Sequence, residues 1–156
     1  MLKKFILPLF IIFFSSNCGF TPVYLNMSGT NFEISNLELN GNNQVNRIVE
    51  NKLRKYLNNN KKRKYNVEIV SNYKKVSVSK DSTGNTTNFK LIIDLNLNYT
   101  EFNSEKKIQS NNIFYSEQLI IKRNPNNYEQ NSYEQILIKN MSELLIEKII
   151  LHLSRS

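Results

Sequence analysis

The sequence predicts an α+β fold, a two-layer sandwich with two helices packed on one face of a four-stranded, mostly antiparallel sheet. Three observations carry this prediction. Phe89, Leu91, Ile93, Leu95, Leu97 and Tyr99 alternate with Lys90, Ile92, Asp94, Asn96, Asn98 and Thr100, the period-two pattern of a strand with one oily face. Apolar residues recur at helical spacing in two stretches, 45–57 and 137–152. The resulting order, β-α-β-β-β-α, leaves every element with one oily face, and stacking both helices on one sheet buries all of them in a single core.

Taken in order, Phe32-Glu-Ile34 alternates, and Leu37-Glu-Leu39 alternates in the opposite phase. A strand with a bulge near Ser35-Asn36 reconciles the two phases. Asn40-Gly41-Asn42-Asn43 ends it, and Asn42 or Asn43 caps the helix that follows. That helix carries Val45, Ile48, Val49, Leu53, Tyr56 and Leu57 on one stripe and runs out into Asn58-Asn-Asn-Lys-Lys-Arg-Lys64. Tyr65, Val67 and Ile69 begin the second strand, with Val76 and Val78 continuing it after an interruption. Asp81-Ser-Thr-Gly84-Asn reads as a turn, and the strand centred on Leu95 follows. A turn at Asn103-Ser-Glu-Lys leads to a strand over Ile113–Ile121, which Asn124-Pro125 stops. The last helix is expected from about Ser132 to Leu153, with Leu137, Ile138, Met141, Leu144, Leu145, Ile149 and His152 on its stripe. Leu95 and Leu144 are both expected in the core, where truncation to Ala costs about 2–5 kcal/mol. Asp94, on the polar face, is expected to contribute little.

Ahead of this domain, 31–156, stands a different kind of segment. Lys3 and Lys4 precede the uncharged run Phe5–Phe14 and then Ser15 and Ser16. The run is about half the length needed to span a bilayer, and the order basic, apolar, small is that of a secretory signal peptide, 1–17. The chain's single cysteine, Cys18, stands at the cleavage point. This resembles the lipobox of bacterial lipoproteins, in which the cysteine becomes the first mature residue and carries the acyl chains, palmitate included. Ser15 and Asn17 depart from the usual lipobox residues. A free thiol is the alternative. Lipidation would anchor the protein through residues 18–30, a tether broken by Gly19, Pro22 and Gly29. By the same resemblance, Gly19 after the cysteine implies an outer-membrane destination, with the domain facing the periplasm.

The formal charge is +8, and an exported basic surface attracts phosphate-bearing partners. Export argues against nucleic acid as that partner. The candidate phosphate contacts, from charge alone, are Lys61, Lys62, Arg63, Lys64, Lys74 and Lys75. With one histidine, His152, no histidine-based metal site or triad can be assembled, and nothing around the two aspartates, Asp81 and Asp94, suggests a paired-carboxylate site. No enzyme, cofactor or metal is expected, and His152 reads as a structural group at a helix C-terminus. The polar sheet face bearing Asp94, Asn96 and Asn98 meets either water or a hydrated cavity in another protein.

The run Cys18-Gly-Phe-Thr-Pro-Val-Tyr24, the element order and Asn131-Ser-Tyr133 at the opening of the long helix together resemble the lipopolysaccharide-assembly lipoprotein family LptE (RlpB), in the form seen in alphaproteobacteria. The resemblance implies a non-enzymatic role. Such proteins plug the outer-membrane barrel LptD, help it assemble, and bind lipopolysaccharide on its way to the outer leaflet. Another outer-membrane adaptor, serving barrel insertion or the cell wall, is the alternative the residues leave open.

Overall fold

A computed structural model describes residues 31–103 and 106–155. The leader 1–17, Cys18 and the tether 18–30 lie outside the described residues, as do Ser104 and Glu105 of the expected turn. The elements are β1 (Phe32–Gly41), α1 (Asn43–Leu53) with a short 3-10 turn over Arg54–Tyr56, β2 (Arg63–Lys80), β3 (Thr86–Asn103), β4 (Lys106–Lys122) and α2 (Asn127–Arg155). The sheet order is β1-β2-β3-β4. β1 runs parallel to β2, as a strand–helix–strand crossover demands, and the other two pairings are antiparallel. The α+β sandwich expected from the sequence is therefore the observed fold.

The phase change in β1 is a register shift between Ile34 and Asn36. The bulge lets Phe32 and Ile34 on one side of it, and Leu37 and Leu39 on the other, face the helices. Asn42 caps α1, its Oδ1 accepting from the backbone N–H of Gln44 at 3.0 Å and of Val45 at 3.1 Å. Val45, Val49 and Leu53 are buried, and the stripe then continues through Tyr56 in the 3-10 turn. Leu57 instead leaves the helix in an extended conformation and bridges to Ile34. Asn58 and Asn60, both left-handed with φ of 51° and 54°, turn the chain back into β2. This conformation suits Asn better than most side chains.

Three expectations change. β2 is one continuous strand of 18 residues, since polar residues at alternate positions of the apparent interruption have inward partners. Ser71 binds the start of α1, and Lys75 pairs with Glu134 of α2. Val76 and Val78 lie exposed near the hairpin tip and add nothing to the core. α2 begins at Asn127, five residues before Ser132, because Asn126 caps it, its Oδ1 accepting from the Tyr128 and Glu129 N–H groups while its side-chain amide donates to the Glu129 carboxylate. Leu144 is 41% exposed and is not core. Leu137, Leu144 and Leu151 repeat every seven residues, and a heptad line drifts about 20° per repeat around a straight helix. It starts half-buried at Leu137 and rotates into solvent, while Ile138, Met141, Leu145, Ile146, Ile149, Ile150 and Leu153 keep facing inward.

The core lies between the helices and the inner sheet face, around Ile34, Tyr65, Ile69, Leu91, Ile93, Leu95 and Leu97, all but closed to solvent. At one end an aromatic chain crosses it. Tyr56 stacks on Phe32 at 5.2 Å, and edge contacts link Phe32 to Tyr65, Tyr65 to Tyr99 and Tyr99 to His152.

Candidate functional site

Both helices sit on the inner face, so the side chains pointing the other way along all four strands share one surface that no described element covers. Alternation dictates its membership, and register dictates its pattern. One row runs Glu38–Glu68–Asn98–Asn112 across the whole sheet. Asn40 and Asn98 donate to the Glu68 carboxylate at 3.3 and 3.1 Å, Asn112 donates to Asn98 Oδ1, and Asn36 donates to Glu38 at 2.9 Å. Glu38 and Glu68 stand directly opposite each other, a repulsive placement that these amide donors offset. The row floors an open concavity of about 480 Å³. Toward the hairpin end, Asp94 accepts from Ser116 at 2.7 Å and from Asn72 at 3.5 Å. Between these rows Asn96 is flanked in register by Val70 and Phe114. Its Oδ1 is buried without a hydrogen-bond partner among the described residues.

The sequence-predicted basic residues separate into two groups. Arg63 Nε binds Glu101 at 3.1 Å, and Lys64 Nζ binds Glu33 at 3.2 Å. Lys75 faces the helices, paired with Glu134 and 4.2 Å above the Phe89 ring. These three charges already have counterions. Lys61 and Lys62 are exposed, and Lys61 uses its backbone N–H on Glu33 Oε2 at 2.9 Å. Lys74 is exposed on the uncovered face. Although adjacent in sequence, Lys74 and Lys75 point to opposite sides of the sheet. With Lys74 opposite Ile92, Lys90 opposite Ile120 and Lys122 opposite Asn88, Lys74, Lys90 and Lys122 form a diagonal across three strands. None of the three forms an ion pair among the described residues. Lys90 and Lys122 escaped the sequence reading because they are isolated in the chain and meet only through strand pairing. The diagonal lies some ten β2 residues, roughly 30 Å, from Lys61 and Lys62.

The Lys61 N–H and, more weakly, the Lys64 ammonium hold the Glu33 carboxyl below its ordinary value against the opposing effect of burial. Burial pushes the Tyr65, Tyr73 and Tyr115 phenols upward. His152 Nε2 lies 2.8 Å from Tyr99 Oη, the structural use its place in the last turns of α2 suggested. Among the described residues no group of three or more His, Cys, Asp or Glu side chains is placed to hold a metal.

Comparison with known proteins gives this arrangement a context. In fold the chain is similar to the rare lipoprotein B from Shewanella oneidensis, at 14% identity and a TM-score of 0.54, over 78% of this chain and 95% of that one. It is also similar to a minor lipoprotein from Acinetobacter baumannii, at 11% identity and a TM-score of 0.50, over 81% and 92%. At such identity these likenesses speak for the fold alone. No protein of curated function matches the sequence. The model of the LptE lipopolysaccharide-assembly family matches residues 30–153, nearly the whole described domain. The chain belongs to the LptE family of lipopolysaccharide-assembly lipoproteins.

Proposed function

We propose that this protein is an outer-membrane lipoprotein, anchored through acyl chains on Cys18 and facing the periplasm, that works as plug and assembly partner of an LptD-type barrel in lipopolysaccharide transport. The family match over residues 30–153 carries the reading. Its partner-facing surface is the uncovered sheet face. A hydrated barrel lumen suits a surface of amides and hydroxyls whose hydrogen bonds are largely made within the sheet, because burying satisfied polar groups costs little.

Lipopolysaccharide enters as phosphate chemistry. Lysines without counterions are the residues free to meet phosphates, which favours Lys74, Lys61 and Lys62 among the sequence candidates and adds Lys90 and Lys122. Arg63, Lys64 and Lys75 would first have to give up Glu101, Glu33 and Glu134. The role is binding and positioning, with no catalysis, cofactor or nucleic acid involved. Two measurements test it. Affinity capture from native membranes is expected to bring down a barrel of LptD type, and recovery of this protein alone would refute the partnership. Mass spectrometry of the mature amino terminus is expected to find Cys18 acylated, and an unmodified thiol would remove the anchor.

A further inference from the structure

Strand direction gathers one end of the domain around the point where the tether joins it. β1 starts there, with Phe32 opposite Arg63 at the start of β2, and β3 ends there, with Phe102 opposite Lys64 and Lys107. Both helices finish at the same end. The chain leaving α1 bridges to Ile34 through Leu57, and Tyr65 Oη donates to the Leu153 carbonyl in the last turn of α2 at 3.2 Å. This end is basic. Glu50, Glu101 and Glu33 pair with Arg54, Arg63 and Lys64 at 3.9, 3.1 and 3.2 Å. Lys55, Lys61 and Lys62 are exposed and form no ion pair among the described residues. Register places Lys106 and Lys107 at the same end. The excess charge thus comes from three separate stretches of chain that only the fold brings together.

The tether gives this charge its partner. From Cys18 to Asn31 the chain runs 13 residues, which span at most about 45 Å. Acyl chains on Cys18 therefore keep this end of the domain within that distance of a leaflet. We propose that Lys55, Lys61 and Lys62 rest on the anionic phospholipid headgroups of the leaflet that holds the anchor, and that this contact fixes which end of the sheet lies at the periplasmic surface of the membrane. The inference rests on the anchor proposed above and agrees with a seat in a barrel. A closed barrel wall separates lumen from lipid, so a tether leaves for the leaflet only by the periplasmic mouth. The end that carries the tether is the one beside the inner-leaflet headgroups. The diagonal of Lys74, Lys90 and Lys122 begins roughly 30 Å along β2 from this end. That is several screening lengths of about 8 Å, which leaves the diagonal to lipopolysaccharide.

The test maps lysine reactivity in the mature, full chain purified from native membranes. It is reconstituted without a barrel into vesicles of phosphatidylethanolamine with phosphatidylglycerol, or of phosphatidylcholine alone. After a brief pulse of an amine-acetylating reagent, mass spectrometry reads each lysine and the state of Cys18 together. The potential of an anionic leaflet holds the proton on an adjacent lysine about three- to sevenfold more strongly. Acetylation of Lys55, Lys61 and Lys62 is expected to slow by about that factor in the anionic vesicles, while Lys74, Lys90 and Lys122 react equally in both. High salt is expected to erase the difference by shortening the screening length. Equal rates at Lys55, Lys61 and Lys62 in the two vesicles, equal slowing along the diagonal, or slowing that survives salt overturns the proposal and leaves an acylated Cys18 standing. Slowing by lipopolysaccharide added to phosphatidylcholine vesicles, with none by phosphatidylglycerol, also overturns it and assigns these lysines to the glycolipid. An unmodified Cys18 in the same spectra refutes the anchor itself, and the proposal with it.

Discussion

Glu33 is a carboxylate placed where the chain would ordinarily put an apolar residue, and its surroundings explain its survival there. It accepts from the Lys61 N–H at 2.9 Å, from Lys64 at 3.2 Å and from Ser35 at 3.3 Å. Its folded value is depressed below the ordinary 4.5. The stabilisation it gives is thus present above the unfolded-state value and lost as pH falls through the folded one. Urea denaturation of the protein and of Glu33→Gln should show a stability gap at neutral pH that closes below about pH 4.5. A gap independent of pH would mean the side chain acts through shape alone. Leu95 and Leu144 make a second pair at this scale. Leu95→Ala should cost about 2–5 kcal/mol, while Leu144→Ala, at a half-exposed site, should stay within about 0.5–1 kcal/mol. Leu95 was legible because alternation has only two faces to choose between. Leu144 was not, because a helix offers a continuum of directions, and an apolar line one residue off the core axis looks like part of it.

The turn from β1 into α1 shows how an element's ends are fixed by contacts that sequence does not display. Gly41 was readable as a break, but the reason for glycine is tertiary. Its φ is +99°, and a Cβ there would stand 1.9 Å from the Ser71 carbonyl oxygen. Ser71 is itself buried, with its Oγ bonded to Asn46 at 2.6 Å and reached by the Asn42 N–H at 3.0 Å, so β2 holds the capped end of the helix against the sheet. Gly84 also has positive φ, +85°, yet a Cβ there meets nothing within 4 Å. The same substitution at both sites separates backbone conformation from crowding. Gly84→Ala should cost about 1–2 kcal/mol from conformation alone. Gly41→Ala should cost clearly more, because the Ser71 backbone must also move. Equal shifts in the denaturation midpoint would show that the close approach carries no energetic weight. The early start of α2 was in principle readable, since Asn126 and Glu129 have capping-box spacing. The neighbouring Asn124-Pro125 masked it by reading as an uninterrupted loop.

Across the whole molecule, the two sides of the sheet are energetically separate. The inner side holds the helices and is responsible for stability. The outer side is a ladder of amides and carboxylates crossed by Lys74, Lys90 and Lys122. Sequence revealed that such a face exists, because Asp94, Asn96 and Asn98 alternate with Ile93, Leu95 and Leu97. It could not reveal the lysine diagonal, which depends on three registers at once, nor that the dense run Lys61–Lys64 spends half its charge on Glu33 and Glu101. This separation predicts that charge on the outer face can be removed without disturbing the fold. In the triple variant Lys74→Gln, Lys90→Gln, Lys122→Gln the denaturation midpoint should be unchanged, since none of these side chains packs inside or forms an ion pair. Binding to purified lipopolysaccharide should weaken. A lysine near an anionic lipid surface contributes about 1 kcal/mol, so three should shift affinity on the order of a hundredfold at moderate salt. The loss should shrink as ionic strength rises. Lys61→Gln with Lys62→Gln tests the candidates at the other end of the sheet. If that pair also weakens binding, phosphates meet both ends of the sheet; if neither variant does, the phosphates do not bind through these lysines.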